Sequence, residues 1–297
     1  MPMKPIVILD LEWNGTYSKR LKGFINEIIE FGAVKTDSHL QPADTFSLFV
    51  RPQVGKKISG KIATLTSITD EELEHGWQFM QVVSRFRKWA GDCILMTWGT
   101  SDILTLIENC RYFSGTDRIP FLTDYVDLQA YCEKQMSYRK GKQIGLSTAA
   151  QLLQIDVAPF DHHRALDDSL LSLQCLRKLY AENTLQAFLQ DATKSEFYNR
   201  MEFRTVTLCD IENPLLKNAD WSFCCPVCGH PAEKDDDWVM RNKSFRAVFH
   251  CPACKKKFYG RMQFKLKYEG LSVRKSVHRF EEEPKKQEVQ GKSSTSV

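Results

Sequence analysis

The first 200 or so residues contain short apolar runs, separated by turn residues, in a pattern typical of an α/β domain. Residues 6–13 form an apolar run that predicts a buried strand, and residues 26–34 and 45–50 predict two more. A turn is expected at residues 36–42. Because neighbouring antiparallel strands can be joined by short turns, we predict that these three strands form an antiparallel meander.

Helical spacing of apolar residues dominates the pattern after residue 68. The predicted elements are a short helix at 69–73 with Thr69 as its N-cap, a helix at 77–89, a strand at 94–98, a helix capped by Ser101, a final short strand at 125–128, and helices starting at Ser147 and His163. Strands and helices in this order predict an α/β fold with a mixed sheet flanked by helices.

The helix after His163 is amphipathic, and its apolar stripe is formed by Leu166, Leu170, Leu173 and Tyr180. By the 3.6-residue period, Asp168 lies on roughly the opposite face. This helix can therefore pack against a sheet and still present a carboxylate.

Four segments describe the predicted domain organisation. Residues 1–183 form the α/β domain, and residues 184–222, where periodicity weakens, form a linker with a break at Asn213-Pro214. Residues 223–280 form a cysteine-rich module. Residues 281–297 are charged or small and lack aromatic side chains, so we predict a disordered tail.

Composition places the chain among ordinary globular proteins, with 42% hydrophobic and 26% charged residues. Its apolar runs are too short to cross a bilayer, and the N-terminus lacks the pattern of a secretory signal, so we predict a cytoplasmic protein with no membrane partner. Five of the ten cysteines lie between positions 224 and 254, a distribution that indicates metal binding rather than disulfides.

Asp10 and Glu12 end the first predicted strand. Residues two apart on a strand project from the same face, so their carboxylates are neighbours. Two buried acids repel each other unless a cation binds them, and carboxylate oxygens suit Mg²⁺ or Mn²⁺. A pair of acids at a strand end also has a purely structural explanation, so the motif alone does not decide the function.

Asp102 and Asp168 are candidates for the same site. Asp102 follows the strand at 94–98 at the start of a helix, where an acid is also favoured by the helix dipole alone. His163 precedes Asp168 by five positions, which places a base next to an acid as hydrolysis requires.

Taken in order, these motifs resemble those of the DEDDh family of 3′-to-5′ exonucleases. Asp10 and Glu12 match the first motif, Asp102 the second, and His163 and Asp168 the third. Residues 26–33 and the Leu-Thr-Ser-Ile-Thr segment at 65–69 also resemble family segments, particularly in the branch of Eri-type RNA exonucleases and sporulation-inhibitor-like exonucleases. The resemblance covers residues 5–182 and implies a ribonuclease H-like fold.

Site residues follow from this resemblance. It implies that Leu65, Thr66 and Ile68 contact the terminal nucleotides. His162 and Asp167 are alternatives within the third motif, but the position of Ala165 favours His163 with Asp168. We expect Asp167 to be a helix-start acid and His162 a loop residue.

The resemblance also implies two Mg²⁺ or Mn²⁺ ions, roughly 3.5–4 Å apart in such sites. Asp10 is expected to bridge them, Glu12 and Asp168 to hold the ion that binds the attacking water, and Asp102 to support the second ion. His163 is expected to take the proton of that water, and the implied product is a nucleoside 5′-monophosphate.

Four cysteines form two CPxC motifs: Cys225 with Cys228, and Cys251 with Cys254, separated by 22 residues. This spacing predicts a structural Zn²⁺ site in a module that resembles a zinc ribbon. Cys224 and His250 are weaker candidates for the same site.

Nine Lys or Arg residues lie between positions 255 and 279, against one acid. Lysines and arginines interleave with Phe258, Tyr259, Phe264 and Tyr268, a combination used by single-strand binders. A strand with core aromatics and solvated lysines explains the same pattern.

The complete acidic set favours an active exonuclease on single-stranded RNA, or on DNA, with the module helping to hold substrate. Two alternatives are a regulatory or nucleic-acid-binding protein that acts through a partner, and a DNA-trimming exonuclease whose module docks a protein.

Overall fold

We describe the chain from a computed structural model, which covers residues 4–138, 142–160 and 163–279. The chain divides into two compact units, Met1–Glu202 and Phe203–Val297, called the first and second unit below. The tail expected to be disordered, residues 281–297, lies outside the described residues. No helix in the described ranges is both long enough and apolar enough to span a bilayer.

A mixed sheet forms the centre of the first unit, in the order β3-β2-β1-β4-β5-β6. Its strands are β1 (Ile6–Ser18), β2 (Gly23–Thr36), β3 (Pro42–Phe49), β4 (Ile94–Thr97), β5 (Asp124–Asp127) and β6 (Gln190–Asp191). The first three form the predicted antiparallel meander, and β4 and β5 extend the sheet in parallel with β1. The predicted α/β fold with a mixed sheet is therefore confirmed.

Helices pack on both faces of this sheet. They are α1 (Gly60–Thr66), α2 (Asp70–Glu74), α3 (Phe79–Ala90), α4 (Ser101–Ser114), α5 (Leu128–Gln135), α6 (Leu146–Leu152), α7 (Ala165–Leu179), α8 (Glu182–Phe188) and α9 (Ser195–Glu202). Thr69 caps α2 through a capping box with Glu72, as predicted. The N-cap of α4 is Thr100 rather than Ser101, one residue earlier than expected.

Alternation along β1 sends its side chains into two different cores. Leu9 and Leu11 pack on the face covered by α3 and α4, whereas Ile6 and Ile8 pack on the face covered by α7. Asp10 continues the row of Ile6 and Ile8. The carboxylates of the first motif therefore emerge on the face of the sheet that α7 covers.

Residues 184–202, expected to be linker, instead fold within the first unit. Phe197 of α9 is buried, and its ring lies 5.5 Å from that of Tyr125 on β5. Tyr198 is also buried, and its hydroxyl accepts a hydrogen bond from the Ile119 amide. Helices this short bury only one or two apolar residues each, so their periodicity in the sequence is weak.

The second unit is a small antiparallel β structure with its own aromatic core. Its strands are β7 (Val206–Leu208), β8 (Phe223–Cys224), β9 (Pro231–Lys234), β10 (Val239–Met240), β11 (Phe245–His250), β12 (Lys257–Lys267) and β13 (Gly270–Arg279). Phe258 and Phe264 point into this core. For these two rings, the interpretation of the segment as a strand with core aromatics therefore holds.

Candidate active site

Three carboxylates predicted from separate motifs converge in the first unit. One oxygen each from Asp10, Glu12 and Asp168 lies within 4.8 Å of the others. Asp10 and Glu12 come from β1, and Asp168 comes from the first turn of α7. The chain thus brings together residues more than 150 positions apart in the sequence.

Close packing of α7 on β2 delivers Asp168 to this cluster. Gly32 lies beneath the first turn of α7, where an added Cβ would be 2.0 Å from the Leu166 amide nitrogen. Ser169 donates a hydrogen bond of 2.9 Å from its hydroxyl to the Gly32 carbonyl. Only a glycine lets the two backbones approach this closely.

Glu30, two residues before Gly32, fixes the start of α7. Its buried carboxylate accepts hydrogen bonds from the Arg164 guanidinium, at 3.0 Å, and from the Ala165 amide, at 3.2 Å. The sequence analysis assigned Glu30 no role. An acid among the apolar residues of a buried strand is unusual and was the signal available in the sequence.

Burial and mutual repulsion raise the pKa values of Asp10 and Glu12. The pKa of Asp10 lies well above its usual value, because the side chain is desolvated and because Asp102, Asp168 and Glu12 are nearby. Desolvation, followed by the charge of Asp168, raises the pKa of Glu12 to about 8. Such a cluster holds excess negative charge that a cation would neutralise.

Asp102 lies beside this cluster and is tied to β1. Its Oδ1 accepts a hydrogen bond of 3.1 Å from the amide of Leu11, the residue between Asp10 and Glu12. Burial, together with the charge of Asp168, raises the pKa of Asp102 to about 7. Asp102 lies in the first turn of α4, where the helix dipole also favours an acid, and its hydrogen bond to β1 is a further contact that a helix-start role does not require.

His163 precedes α7 in an exposed left-handed turn, with φ of 67°. Its backbone N–H donates to Asp168 Oδ2 at 3.3 Å, which links the two residues of the third motif. The alternative His162 lies outside the described residues. Asp167 is in the first turn of α7, as expected for a helix-start acid, and is not one of the three converging acids.

The residues expected to contact nucleotides differ in accessibility. Leu65, at the end of α1, is 43% exposed. Thr66 is buried, and its hydroxyl donates to the Ile62 carbonyl. Ile68 is buried against Ile29. Leu65 alone therefore presents its side chain to solvent, and Thr66 and Ile68 support the turn behind it.

Two buried polar residues, to which no role was assigned from the sequence, hold the loop that leads into α1. Asn14 Oδ1 accepts a hydrogen bond of 3.0 Å from the Ser59 amide. Glu27 accepts bonds of 2.7 and 2.9 Å from the Val54 and Gly55 amides. Asn14 thereby ties the start of α1 to β1, the strand of Asp10 and Glu12, and Glu27 ties the preceding loop to β2.

In the second unit, Cys225, Cys228, Cys251 and Cys254 bring their sulfur atoms within 4.8 Å of one another. The two motifs form equivalent turns: the Gly229 amide donates to the Cys225 carbonyl, and the Lys255 amide to the Cys251 carbonyl. Neither weaker candidate belongs to this group. Cys224 is exposed, and His250 hydrogen-bonds to Asp235.

Comparisons with known proteins agree with this architecture. The sequence family described as Exonuclease (RNase_T) matches residues 7–176. Probable 3′-5′ exonuclease KapD from Bacillus subtilis (strain 168) is 28% identical over 182 residues, covering 60% of this chain and 85% of that protein. DNA polymerase III PolC-type from Thermotoga maritima is 29% identical over 169 residues, covering 57% of this chain but only 11% of the polymerase.

A solved structure shares the fold of the first unit. The nuclease domain of 3′hExo, a DEDDh family member bound to rAMP, superposes with a TM-score of 0.51 at 23% identity, covering 59% of this chain and 91% of that one. Because the family match spans more than half of the sequence, the chain belongs to this exonuclease family. It is a hydrolase of phosphodiester bonds, and its resemblance to the DEDDh exonucleases is confirmed.

Proposed function

We propose that the chain is a metal-dependent 3′-to-5′ exonuclease that removes nucleoside 5′-monophosphates from single-stranded nucleic acid, with RNA preferred over DNA. The convergence of Asp10, Glu12 and Asp168 at one point of the sheet is the observation that carries this proposal. The relative KapD, named as a probable 3′-5′ exonuclease, supports the direction.

Divalent cations fit the donors present at this site. The three converging groups are carboxylates, the ligands that Mg²⁺ and Mn²⁺ prefer, and burial and the charges of the neighbouring acids raise the pKa values of Asp10 and Glu12. Asp10, Glu12 and Asp168 would hold the cations, with Asp102 supporting a second ion. When bound, two such ions stabilise negative charge on the attacking and leaving oxygens.

The protein's own residues would orient and deprotonate the attacking water. His163 accepts the proton, a role supported by its exposure and by the hydrogen bond from its backbone amide to Asp168 of the cluster. Glu30 and Arg164 hold the start of α7, so that His163 and Asp168 keep a fixed relation to β1. Leu65 packs against the terminal base, because its exposed side chain offers apolar surface.

RNA is the preferred substrate in this proposal because of the resemblance to Eri-type RNA exonucleases and because the 3′hExo nuclease domain was solved with rAMP. DNA trimming is the second candidate. The matched segment of the PolC-type DNA polymerase favours it. A purely regulatory role is disfavoured, because every acid of the motifs is present.

We propose that the four clustered cysteines bind one structural Zn²⁺. Four sulfur atoms within 4.8 Å, supplied by two equivalent turns, suit tetrahedral thiolate coordination. The small aromatic core of the second unit would then depend on the ion for its stability.

End-labelled oligonucleotides test the direction and the substrate together. Single-stranded RNA and DNA of one sequence, labelled at either end, are incubated with the protein and Mg²⁺ or Mn²⁺. We expect 5′-labelled RNA to shorten in single-nucleotide steps, 3′-labelled RNA to release labelled mononucleotide at once, and DNA to react more slowly.

Other patterns contradict the proposal. Shortened ladders that keep the 3′ label would establish the opposite direction. Faster hydrolysis of DNA would replace the RNA preference with the trimming function, and intact oligonucleotides with every metal would exclude the activity. Reactions in which the divalent ions are chelated serve as the negative control for each substrate.

A further inference from the structure

The sheet of the second unit has one face turned away from its aromatic core. On β12, Phe258, Met262 and Phe264 are buried, so the alternate residues point to the other face. The strand register places Arg261 of β12 between Arg246 of β11 and Ser276 of β13. We call this surface the arginine face, and its members are Arg246, Arg261, Gln263, Arg274, Ser276 and His278.

Positive charge on this face is not neutralised by ion pairs within the part of the chain that the structure describes. Arg246 and Arg261 lie directly opposite each other on antiparallel strands, a position where like charges are destabilising. Within residues 4–138, 142–160 and 163–279, neither these two arginines nor Arg274 forms an ion pair, and the buried Arg246 Nε has no hydrogen-bond partner. A face shaped only for solubility would alternate the signs of its charges.

Acidic residues lie near both ends of the sheet. At one end, Asp235 neutralises Lys257 and contacts His250, and Asp236 accepts a hydrogen bond from the Val248 amide. At the other end, Glu269 lies in the turn between β12 and β13. Between the two ends, Arg261, Gln263, Arg274, Ser276 and His278 line a cavity of about 190 Å³. Asp236 lines a second cavity together with Arg246 and His278.

We infer that the arginine face binds the phosphate backbone of single-stranded nucleic acid. Guanidinium groups match phosphate oxygens in two-pronged hydrogen bonds, and Gln and Ser side chains add neutral phosphate contacts. Because Phe258 and Phe264 are buried, base stacking on these rings does not contribute. The binding is therefore electrostatic and insensitive to base sequence and to the sugar. This inference rests on the proposed exonuclease function, to which it adds a second contact with the substrate.

Binding of a single-stranded oligonucleotide to the full chain tests this inference. The change is Arg246→Gln, Arg261→Gln and Arg274→Gln together, in an Asp10→Asn background that prevents hydrolysis. Fluorescence anisotropy is measured with a labelled oligouridylate of about 20 nucleotides at several salt concentrations. We expect the Kd to rise about tenfold or more and the salt slope to fall by about 2, which corresponds to three lost phosphate contacts.

A matched variant removes three charges elsewhere on the second unit: Arg204→Gln, Lys217→Gln and Lys256→Gln, all at exposed positions. We expect this control to change the Kd by less than about twofold, because none of the three residues belongs to the arginine face. Replacing the three arginines of the face by Lys instead keeps the charge. That variant should retain most of the affinity and provides a second test if the Gln variant folds poorly.

Equal losses of affinity in the test and control variants would show that net charge, and not the arginine face, causes the loss, and would overturn the inference. Unchanged binding in the test variant would also overturn the inference, and an acidic protein would then be the expected partner of this face. With Asp10 restored, hydrolysis of a dinucleotide should be the same in the test variant as in the parent chain. Failure of the parent chain to hydrolyse it would contradict the proposed function alone, since the anisotropy result stands without catalysis.

Discussion

Gly32 sets the distance between β2 and α7 and thereby the position of Asp168. We predict that Gly32→Ala destabilises the protein by about 3 kcal/mol, because the added carbon collides with backbone atoms that cannot move independently. Activity should fall by about a hundredfold if Asp168 shifts by about 1 Å. Chemical denaturation and initial rates measure the two effects.

Gly60→Ala is the control for this substitution. Gly60 is the first residue of α1, and a Cβ there meets nothing within 4 Å. Stability should stay the same or rise by about 0.5 kcal/mol, since alanine restricts the unfolded chain. Equal effects of the two substitutions on stability and activity would contradict the proposal that Gly32 sets the distance between β2 and α7.

The raised pKa values of Asp10, Glu12 and Asp102 make stability depend on pH and on divalent ions. These acids bind protons more tightly in the folded chain than in the unfolded one. Without metal, their contribution to stability is therefore present at low pH and is lost as the pH rises from about 4 to about 8. Cation binding needs the deprotonated acids, so it becomes stronger over the same range.

We therefore predict that Mg²⁺ raises the Tm of the first unit more at pH 8 than at pH 6, by about 3 °C. Thermal melts with and without Mg²⁺ at both pH values measure the difference. Asp10→Asn should abolish most of it. A larger metal effect at pH 6 would show that the acids do not bind the ion.

The order and spacing of the three motifs together predicted that Asp10, Glu12 and Asp168 lie at one site, although no single motif was sufficient, and the fold brings these three carboxylates together. Order and spacing could not predict Glu30 as the residue that fixes α7. Its partners, Arg164 and the Ala165 amide, lie more than 130 positions away, and only the folded sheet brings them together. For the same reason, the burial of Thr66 and Ile68 could not be inferred from a motif.

At the scale of elements, the start of α7 is held by the ion pair between Glu30 and Arg164. Glu30→Gln should lower stability by about 2 kcal/mol, because it leaves a partly buried guanidinium without its charge partner. We expect kcat to fall about tenfold with KM little changed, because His163 and Asp168 move while substrate contacts persist. Steady-state kinetics and denaturation measure both.

Glu202→Gln is the matched control, since it removes the acid from the exposed pair with Arg111. Exposed pairs contribute little, so the loss should stay below about 1 kcal/mol, and activity should be unchanged. If Glu30→Gln behaves like Glu202→Gln, the pair does not position α7.

Elements with a clear apolar period or a capping residue were predicted from the sequence, including the short helix α2, whereas several other short helices were not. The meander of β1, β2 and β3 follows from apolar runs separated by turn residues. The seven-residue helices α1 and α8 were missed, because each buries too few apolar residues for a clear period. On β12, the period of two was visible, but only the register with β11 and β13 shows which residues share the arginine face.

At the scale of the whole molecule, each unit has its own hydrophobic core. We therefore predict that Cys228→Ser removes the zinc and unfolds the second unit, while the first unit keeps its Tm within about 2 °C. Metal analysis should give about one zinc per parent chain. Fluorescence of Trp221 and Trp238 reports on the second unit.

Cys224→Ser is the control for the zinc site. Cys224 is adjacent to Cys225 but exposed and outside the cluster, so this variant should keep its zinc and its fold. A native parent chain without zinc, or an equal loss in both variants, would exclude the four-cysteine site.

We propose that Asp10, Glu12, Asp102, His163 and Asp168 form a metal-dependent nuclease site. Single-turnover cleavage of single-stranded RNA in Mg²⁺, compared between Asp10→Asn and Asp167→Asn, tests this site. We predict a rate loss of about a thousandfold or more for Asp10→Asn, because electrostatic stabilisation at the reacting centre is lost. We expect a change of less than about threefold for Asp167→Asn, which carries the same substitution in a helix-start acid outside the cluster. Full activity in Asp10→Asn, or equal losses in the two variants, would exclude this site.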